Sequence, residues 1–254
     1  MHTTTISAPA ARPATRRTVD APTRVFHWLL ALSFLGAYLT ADGERWRLVH
    51  VTLGYTMAGL LGFRVVWGLV GPRHARLSAL WRKLRGLPQW IRGLKAGAPN
   101  WRLGQNLLLA LGVVALLALI VPLTLSGYGT YNEWTGEWLE EVHEFFGNAL
   151  LAVVLAHIAM VVVLSVLRGK NQITPMVTGR MEGAGPDLLK SNHAAVAALL
   201  LAAVLGFWAW QWQQAPSAPA ATENAATVAR RSGPAQTGAY DGRRDRKHPS
   251  RHDD

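Results

Sequence analysis

The sequence predicts an all-α integral membrane protein, in which a four-helix transmembrane bundle is followed by a fifth transmembrane helix. Half of the 254 residues are hydrophobic and 11 are tryptophan, more than an ordinary soluble domain carries. Five long apolar segments divide the chain, and the basic residues behind its net charge of +11 lie mainly in the termini and connections. That distribution is typical of membrane topology signals. We therefore expect membrane lipid, and not nucleic acid, as the partner of these charges.

The first 24 residues form a basic arm that precedes the first apolar segment. They carry four arginines and no apolar stretch of the kind that a cleavable signal peptide requires. The first helix is expected at about residues 25–40, where it would act as an uncleaved anchor. A hydrocarbon core about 30 Å thick needs about 20 helical residues, so this segment is short for a membrane span.

Three further apolar segments complete the predicted four-helix domain, residues 25–168. Helices are expected at about residues 49–70, 106–128 and 142–167, each long enough to cross the hydrocarbon core. A loop at 169–193 then leads to a fifth transmembrane helix at 194–212. The remaining residues, 213–254, are rich in Ala, Pro, Ser and Arg, a composition that predicts a disordered tail.

The distribution of charge predicts the orientation. Residues 71–105 carry eight Lys and Arg residues and no acidic one. The connection between the third and fourth helices instead carries Glu133, Glu137, Glu140 and Glu141 without a basic residue. By the positive-inside rule, the N-terminus and the basic connection face the cytoplasm and the acidic connection faces outward. The fifth helix then sends the C-terminus outward, and the charges of the basic tail count less because they lie far from a helix end.

Four histidines are the strongest functional signal. His27, His50, His143 and His157 lie at or inside the apolar segments, where an ionisable side chain is costly unless it is paired or bound. Imidazole is a common metal ligand and holds haem iron in many proteins. The chain has no cysteine, which excludes thiolate-ligated iron-sulfur clusters, covalent c-type haem and cysteine nucleophiles. Any redox centre would therefore be held by histidine.

Helix geometry pairs these histidines by depth. His157 follows His143 by 14 residues, which is about 21 Å along the helix and within about 40° on its surface. With the orientation above, His27 and His157 lie near the cytoplasmic face, and His50 and His143 lie near the outer face. Two b haems, each held by two histidines and stacked across the membrane between four helices, satisfy all four positions.

Three more residues are candidates for haem contact. Gly54 and Gly147 each follow a histidine, His50 or His143, by four residues. Each glycine therefore lies on the same helical face as its histidine and leaves room for a flat group, although close helix packing is an alternative explanation. Arg64 lies at the depth of the inner pair, where it would hold a haem propionate or extend to lipid phosphates.

The segments that carry these features resemble a known family. RVFHWLL, LVHVTLGY, FRVVWGLVGP and VHEFFGNALLAVVLAHIA are similar to the bacterial cytochrome b561 and nickel-iron hydrogenase cytochrome b family, over about residues 20–180. The resemblance implies a diheme b-type electron carrier of the bacterial inner membrane, with His27 and His157 on one haem and His50 and His143 on the other. It also implies electron exchange with quinone, a periplasmic cytochrome, or a hydrogenase or dehydrogenase subunit. The fifth helix and the tail fall outside the family pattern, which leaves the partner open.

The expected function is single-electron transfer across the membrane, between the quinone pool or a partner oxidoreductase and a periplasmic carrier. A six-coordinate haem has no open position for a substrate, so no catalytic residue is expected, and whether the protein is an enzyme depends on its partner. The acidic connection from Glu133 to Glu144 would dock a basic partner surface.

Two other classes of function remain open. In a transporter, the histidines would relay protons or bind a metal ion. In an anchor subunit of a hydrogenase or dehydrogenase, the bundle would only fix its partner to the membrane. Residues 49–70 and 145–167 contain no carboxylate, which disfavours the transporter, and an anchor would have no need for four histidines at matched depths.

Overall fold

The computed structural model describes residues 14–73, 75–134 and 136–214. The predicted disordered tail from residue 215 onward and the first 13 residues of the basic arm lie outside the described residues. Five long helices occupy the five apolar segments, which confirms the all-α prediction. They are α1 (Ala21–Leu39), α2 (Arg47–Val70), α5 (Trp101–Tyr131), α6 (Trp138–Arg168) and α8 (Ala194–Gln214).

Four of these helices are long and apolar enough to cross a membrane, judged by length and composition. They are α2 with the short 3-10 turn before it, α5, α6 and α8. Helix α1 has 19 residues and is not among the four, so its membrane crossing stays a prediction of the sequence. The protein is therefore an all-α membrane protein with four candidate spans, one fewer than the sequence analysis predicted.

The ends of the helices follow from local capping. Helix α1 begins at Ala21, earlier than predicted, because the Asp20 side chain accepts a hydrogen bond from the backbone N–H of Thr23 at 3.1 Å and so caps the first turn. Asn100 caps α5 in the same way, through the N–H of Leu103 at 3.0 Å. Helix α6 ends at Arg168 and is followed by Gly169, whose φ of 59° lies in the left-handed region that glycine adopts at little cost.

The first four long helices form a bundle. A core cluster of buried apolar side chains draws on all four of them, namely Phe34, Met57, Ile120, Leu123 and Leu150. Helix α8 packs outside this bundle against α1 and α2, through a second cluster of Phe26, Leu60 and Val204. Trp208 of α8 also donates a hydrogen bond from Nε1 to Oγ1 of Thr56, at 2.8 Å. The fifth helix is therefore a packed part of the structure.

The two ends of the bundle differ in charge. Residues 40–46 and 132–137 connect helices at one end, which we call the acidic end, where Tyr38 of α1 donates a hydrogen bond to Asn148 of α6 at 3.2 Å. Residues 71–100 and 169–193 lie at the other end, which we call the basic end. There Arg168 of α6 donates to Oε1 of Gln105 of α5, at 3.0 Å.

The basic end contains secondary structure that the sequence analysis did not expect. The connection after α2 was predicted as a loop but forms two short helices, α3 (Leu77–Leu84) and α4 (Leu87–Lys95). The loop at 169–193 contains a short helix, α7 (Thr174–Thr178), and a strand, β2 (Arg180–Glu182). This strand pairs antiparallel with β1 (Thr15–Arg17). The N-terminal arm is therefore tied to the connection between α6 and α8.

Candidate functional site

A cavity of about 800 Å³ lies at the acidic end of the bundle, between α1, α2, α5 and α6. Its apolar lining includes Phe34, Met57 and Leu123, and its polar lining includes His50 and His143. A volume of this size falls in the range of about 300–1,000 Å³ that holds cofactors and other small molecules. The cavity is therefore large enough for a bulky prosthetic group.

His50 and His143 face each other across this space. Their ring centroids are 5.9 Å apart and their ring planes are inclined at 80°. An imidazole nitrogen lies about 2 Å from a transition metal that it ligates, so two nitrogens on opposite sides of a metal are about 4 Å apart and their ring centres about 6 Å apart. The observed separation suits one metal ion between the two rings.

The other nitrogen of each ring is bound to the protein. Nδ1 of His50 lies 2.8 Å from the carbonyl oxygen of Ala37, and Nδ1 of His143 lies 3.0 Å from that of Leu123. A carbonyl oxygen only accepts hydrogen bonds, so each Nδ1 carries the proton and each Nε2 keeps a free lone pair. Histidines that ligate a metal are usually oriented in this way by a carbonyl or carboxylate. Both rings are therefore preset as Nε2 ligands.

The glycines around His50 and His143, which we call the outer pair, differ in how much space lies beside them. Gly54 and Gly147 both line the cavity, and their contact with a haem stays a prediction. A Cβ at Gly54 would meet no atom within 4 Å, and one at Gly147 would meet only Leu123, at 3.9 Å. Gly127 of α5, which the sequence analysis missed, is much more crowded, because a Cβ there would lie 2.7 Å from Cε1 of His143. Gly127 therefore permits the position of that ring.

Arg47 is a second residue that the sequence analysis missed. Among the described residues it is the only Lys or Arg that lines the cavity, whose lining also includes Asp42, Glu44, Glu140 and Glu144. Its guanidinium lies 3.9 Å from the carboxylate of Glu44 and 5.7 Å from the ring centre of Tyr131. Because Arg47 precedes His50 by three residues, it lies on the same helical face, and this spacing is a signal that the sequence did contain.

His27 and His157, which we call the inner pair, lie in the half of the bundle toward the basic end. His27 and His157 are both partly buried and lie within electrostatic reach of each other. Among the described residues, Nδ1 of His27 is buried without a hydrogen-bond partner, and a Cβ on Gly112 would lie 4.0 Å from Nδ1 of His157. A buried polar nitrogen without a partner is costly. Nδ1 of His27 thus needs a partner that the described protein atoms do not supply.

Arg64 is turned toward the basic end. Its Nη1 donates a hydrogen bond to the carbonyl oxygen of Ala75, 2.9 Å away in the connection after α2. A guanidinium has five N–H donors, so this bond leaves further donors for an anion. Arg64 is not among the residues that line the cavity at the acidic end, and its contact with a propionate near His27 and His157 stays a prediction.

The sequence was compared with known protein families and with individual proteins, and the matching region covers the four-helix bundle. A family model described as prokaryotic cytochrome b561 matches residues 18–179, a range that contains all four histidines. A protein of Azotobacter vinelandii, named as a probable Ni/Fe-hydrogenase B-type cytochrome subunit, is 28% identical over 63% of this chain and 85% of its own length.

Two further relatives carry nearly the same name. The protein of Azotobacter chroococcum mcd 1 is 32% identical over 46% of this chain and 60% of its own length. The probable Ni/Fe-hydrogenase 1 B-type cytochrome subunit of Escherichia coli K12 is 24% identical over 63% of this chain and 88% of its own length. No solved structure matches the chain significantly.

Proposed function

The chain belongs to the prokaryotic cytochrome b561 family, and on that premise we propose that it holds two haems b. His50 and His143 would ligate one haem at the acidic end, and His27 and His157 would ligate the other in the basic half. Family membership makes the protein a multi-pass membrane cytochrome of the b type that takes part in electron transfer. The number of haems, their ligands and the partners are the substance of the proposal.

The geometry of the outer pair is the observation that carries the proposal. Two imidazoles with their Nδ1 atoms bound to carbonyls and their ring centres 5.9 Å apart would supply two ligands to one metal ion. A protein-bound zinc ion needs three or four protein ligands, and no group of three or more His, Asp or Glu side chains suited to a metal occurs within residues 14–73, 75–134 and 136–214. Haem iron takes its other four ligands from the porphyrin, so two histidines suffice.

The surrounding residues have distinct roles in this proposal. Gly54 and Gly147 leave the faces of α2 and α6 open beside the outer histidines, where a flat macrocycle needs clearance. Arg47 lies at the mouth of the cavity among carboxylates, where it would hold a haem propionate by a charge-assisted hydrogen bond. Arg64 would do the same for the inner haem, with the donors that Ala75 does not use.

A haem held by two histidines supplies reversible one-electron exchange between Fe(III) and Fe(II), with no open position for a substrate. The protein would place the two pairs at different depths, because His143 and His157 are separated by about 21 Å along α6. All four histidines are partly buried in the bundle. In this arrangement electrons would cross the membrane between an inner and an outer partner.

We propose that the acidic end faces the periplasm and the basic end faces the cytoplasm of a bacterial inner membrane. The basic residues of the connection at 71–100 support this orientation by the positive-inside rule. The relatives are named as hydrogenase subunits, which suggests a hydrogenase or dehydrogenase subunit, or a periplasmic cytochrome, at the acidic end. Glu140 and Glu144 at the mouth of the cavity would attract a basic partner surface. Quinone would exchange electrons with the haems from within the membrane.

Haem content tests the proposal first. The detergent-purified protein should show the reduced-minus-oxidised visible spectrum of a b-type cytochrome. Pyridine haemochrome analysis should then give two non-covalent haems per chain. A protein without haem, although expressed with ample haem, would overturn the proposal and favour a metal or proton transporter.

The angle between the outer rings provides a second test. With their planes inclined at 80°, the two imidazoles would interact with different d orbitals of a bound iron, and these orbitals would be nearly equal in energy. Electron paramagnetic resonance of the oxidised protein should therefore contain a highly anisotropic low-spin signal. His143→Ala should remove that signal and leave the signal of the inner haem. A spectrum of the wild-type protein that contains high-spin signals and no low-spin signal would contradict ligation by two histidines.

A further inference from the structure

The connection between α2 and α5 folds into a hairpin of two amphipathic helices, α3 and α4. Residues three and four positions apart share a face of a helix, and in both helices such positions are apolar. The apolar stripes consist of Leu77, Leu80, Trp81 and Leu84 on α3 and Leu87, Trp90, Ile91 and Leu94 on α4. Arg82, Lys83 and Arg92 lie on the opposite faces. The hairpin therefore has one apolar side and one basic side.

Part of the apolar side attaches the hairpin to two membrane-spanning helices. Leu77 packs on Gly68 of α2, where a Cβ would lie 2.5 Å from its Cγ. Trp90 packs on Gly104 of α5, where a Cβ would lie 2.5 Å from its Nε1. Gly68 is near the end of α2 and Gly104 near the start of α5. The hairpin is thus fixed at the level where two spans end.

Four of the other apolar side chains are exposed, whereas Leu80 and Leu84 are half-buried. Trp81, Leu87, Ile91 and Leu94 keep 60%, 43%, 40% and 49% of their surface exposed. Apolar side chains gain stability when they leave water, so a group of four exposed at one place points to a binding surface. An indole at this level is also typical of side chains that lie at a membrane interface.

The charge of the hairpin identifies the class of ligand. Residues 71–100 contain seven Lys and Arg residues and no acidic residue. Arg82, Lys83 and Arg92 are exposed. Helices with a basic polar face and an aromatic or leucine-rich apolar face lie in the membrane interface, with the apolar face toward the acyl chains and the charges among anionic headgroups.

We propose that the α3–α4 hairpin is an interfacial binding surface for anionic phospholipid. The exposed apolar side chains would lie against the upper acyl chains, and the basic side chains would contact phosphate groups. The hairpin would thereby hold the basic end of the bundle at the membrane surface. This proposal does not depend on haem binding, so it stands or falls separately from the proposed function.

The depth of each face can be measured with single labels, because the chain contains no cysteine. The full-length protein would carry Leu94→Cys on the apolar side or Gln89→Cys on the polar side, each with an environment-sensitive fluorophore. In vesicles of phosphatidylcholine with phosphatidylglycerol, brominated acyl chains should quench the label at Leu94 severalfold more than the label at Gln89. Equal quenching at both positions, or none at either, would overturn the interfacial placement and favour a soluble protein as the occupant.

The charge requirement needs a matched pair of variants. One carries Arg82→Gln, Lys83→Gln and Arg92→Gln in the hairpin. The control carries Arg73→Gln, Lys170→Gln and Lys190→Gln, which are exposed basic residues of the same end outside the hairpin. Spin-labelled phosphatidylglycerol and phosphatidylcholine report which lipid each protein immobilises.

The wild-type protein should bind phosphatidylglycerol severalfold more strongly than phosphatidylcholine, since each basic side chain near an anionic surface contributes at most about fivefold. The hairpin variant should lose most of this selection and the control should keep it. No preference for phosphatidylglycerol in the wild-type protein, or an equal loss of this preference in both variants, would overturn the proposal. Gel filtration and thermal unfolding would first establish that both variants fold.

Discussion

Replacing Gly127 with alanine is expected to abolish binding of the haem that we propose between His50 and His143. A methyl group at this position would lie 2.7 Å from Cε1 and 2.9 Å from Nδ1 of His143, whereas ordinary contact begins at 3.4 Å. The ring would therefore have to move by about 0.7 Å. Distances between a metal and its ligands tolerate changes of only about 0.2 Å. A movement of this size is enough to break the bond to iron.

The same movement would disturb the orientation of the ring. Nδ1 of His143 lies 3.0 Å from the carbonyl oxygen of Leu123, and losing such an outer partner typically lowers metal affinity 10- to 100-fold. The substitution itself should not weaken α5, because alanine is favoured over glycine inside a helix by about 1 kcal/mol. A loss of haem would thus reflect the position of His143 and not unfolding of the helix.

The assay is the haem-to-protein ratio of the purified variant, together with the low-spin signals of the oxidised protein. Gly127→Ala should fall from two haems to about one, or keep a second haem that is high-spin and five-coordinate. Gly59→Ala and Gly62→Ala in α2 are matched controls, because a Cβ at either position meets nothing within 4 Å. A Gly127→Ala protein with two unaltered low-spin haems would refute the reasoning.

Three further outcomes are expected. Gly54→Ala should leave the haem-free protein at least as stable as before, since nothing lies within 4 Å of the new methyl and alanine is favoured over glycine inside a helix. Titration with haem should nevertheless show weaker binding, and unchanged affinity would mean that Gly54 gives no clearance. Arg47→Gln should lower the midpoint potential of one haem by roughly tens of millivolts, because a lost positive charge favours Fe(III) and solvent screens the effect. Redox titration should find little change in Arg45→Gln, and equal shifts in both variants would argue against a propionate contact. Trp67→Phe removes the 3.0 Å hydrogen bond from Nε1 to the buried carboxylate of Asp20 and should destabilise the fold by about 1–3 kcal/mol, and denaturant unfolding with no change in midpoint would contradict this.

The sequence contained most of the information on the bundle. Long apolar runs determine helices almost without regard to their neighbours, so all five long helices were placed to within a few residues. Helical periodicity also brought His50 and Gly54 to one face and put His143 at the depth of His50, and the structure places the two histidines across one cavity. These features depend on spacing within single helices.

The missed features depend on contacts between elements. His143 is oriented by the carbonyl oxygen of Leu123, and every residue has a carbonyl, so no side chain marks that partner in the sequence. Gly127 matters because α5 and α6 pack in one particular register, which spacing along the chain does not specify. The hairpin of α3 and α4 was missed because its two helices are only eight and nine residues long. Their many basic residues also suggested a loop.

Haem retention in histidine double variants tests the central claim most directly. If His50 and His143 share one haem and His27 and His157 share the other, then His50→Ala with His143→Ala should keep one haem per chain. His50→Ala with His157→Ala should keep none. A pairing of His50 with His157 would reverse these two results, and two haems retained in every variant would contradict histidine ligation altogether.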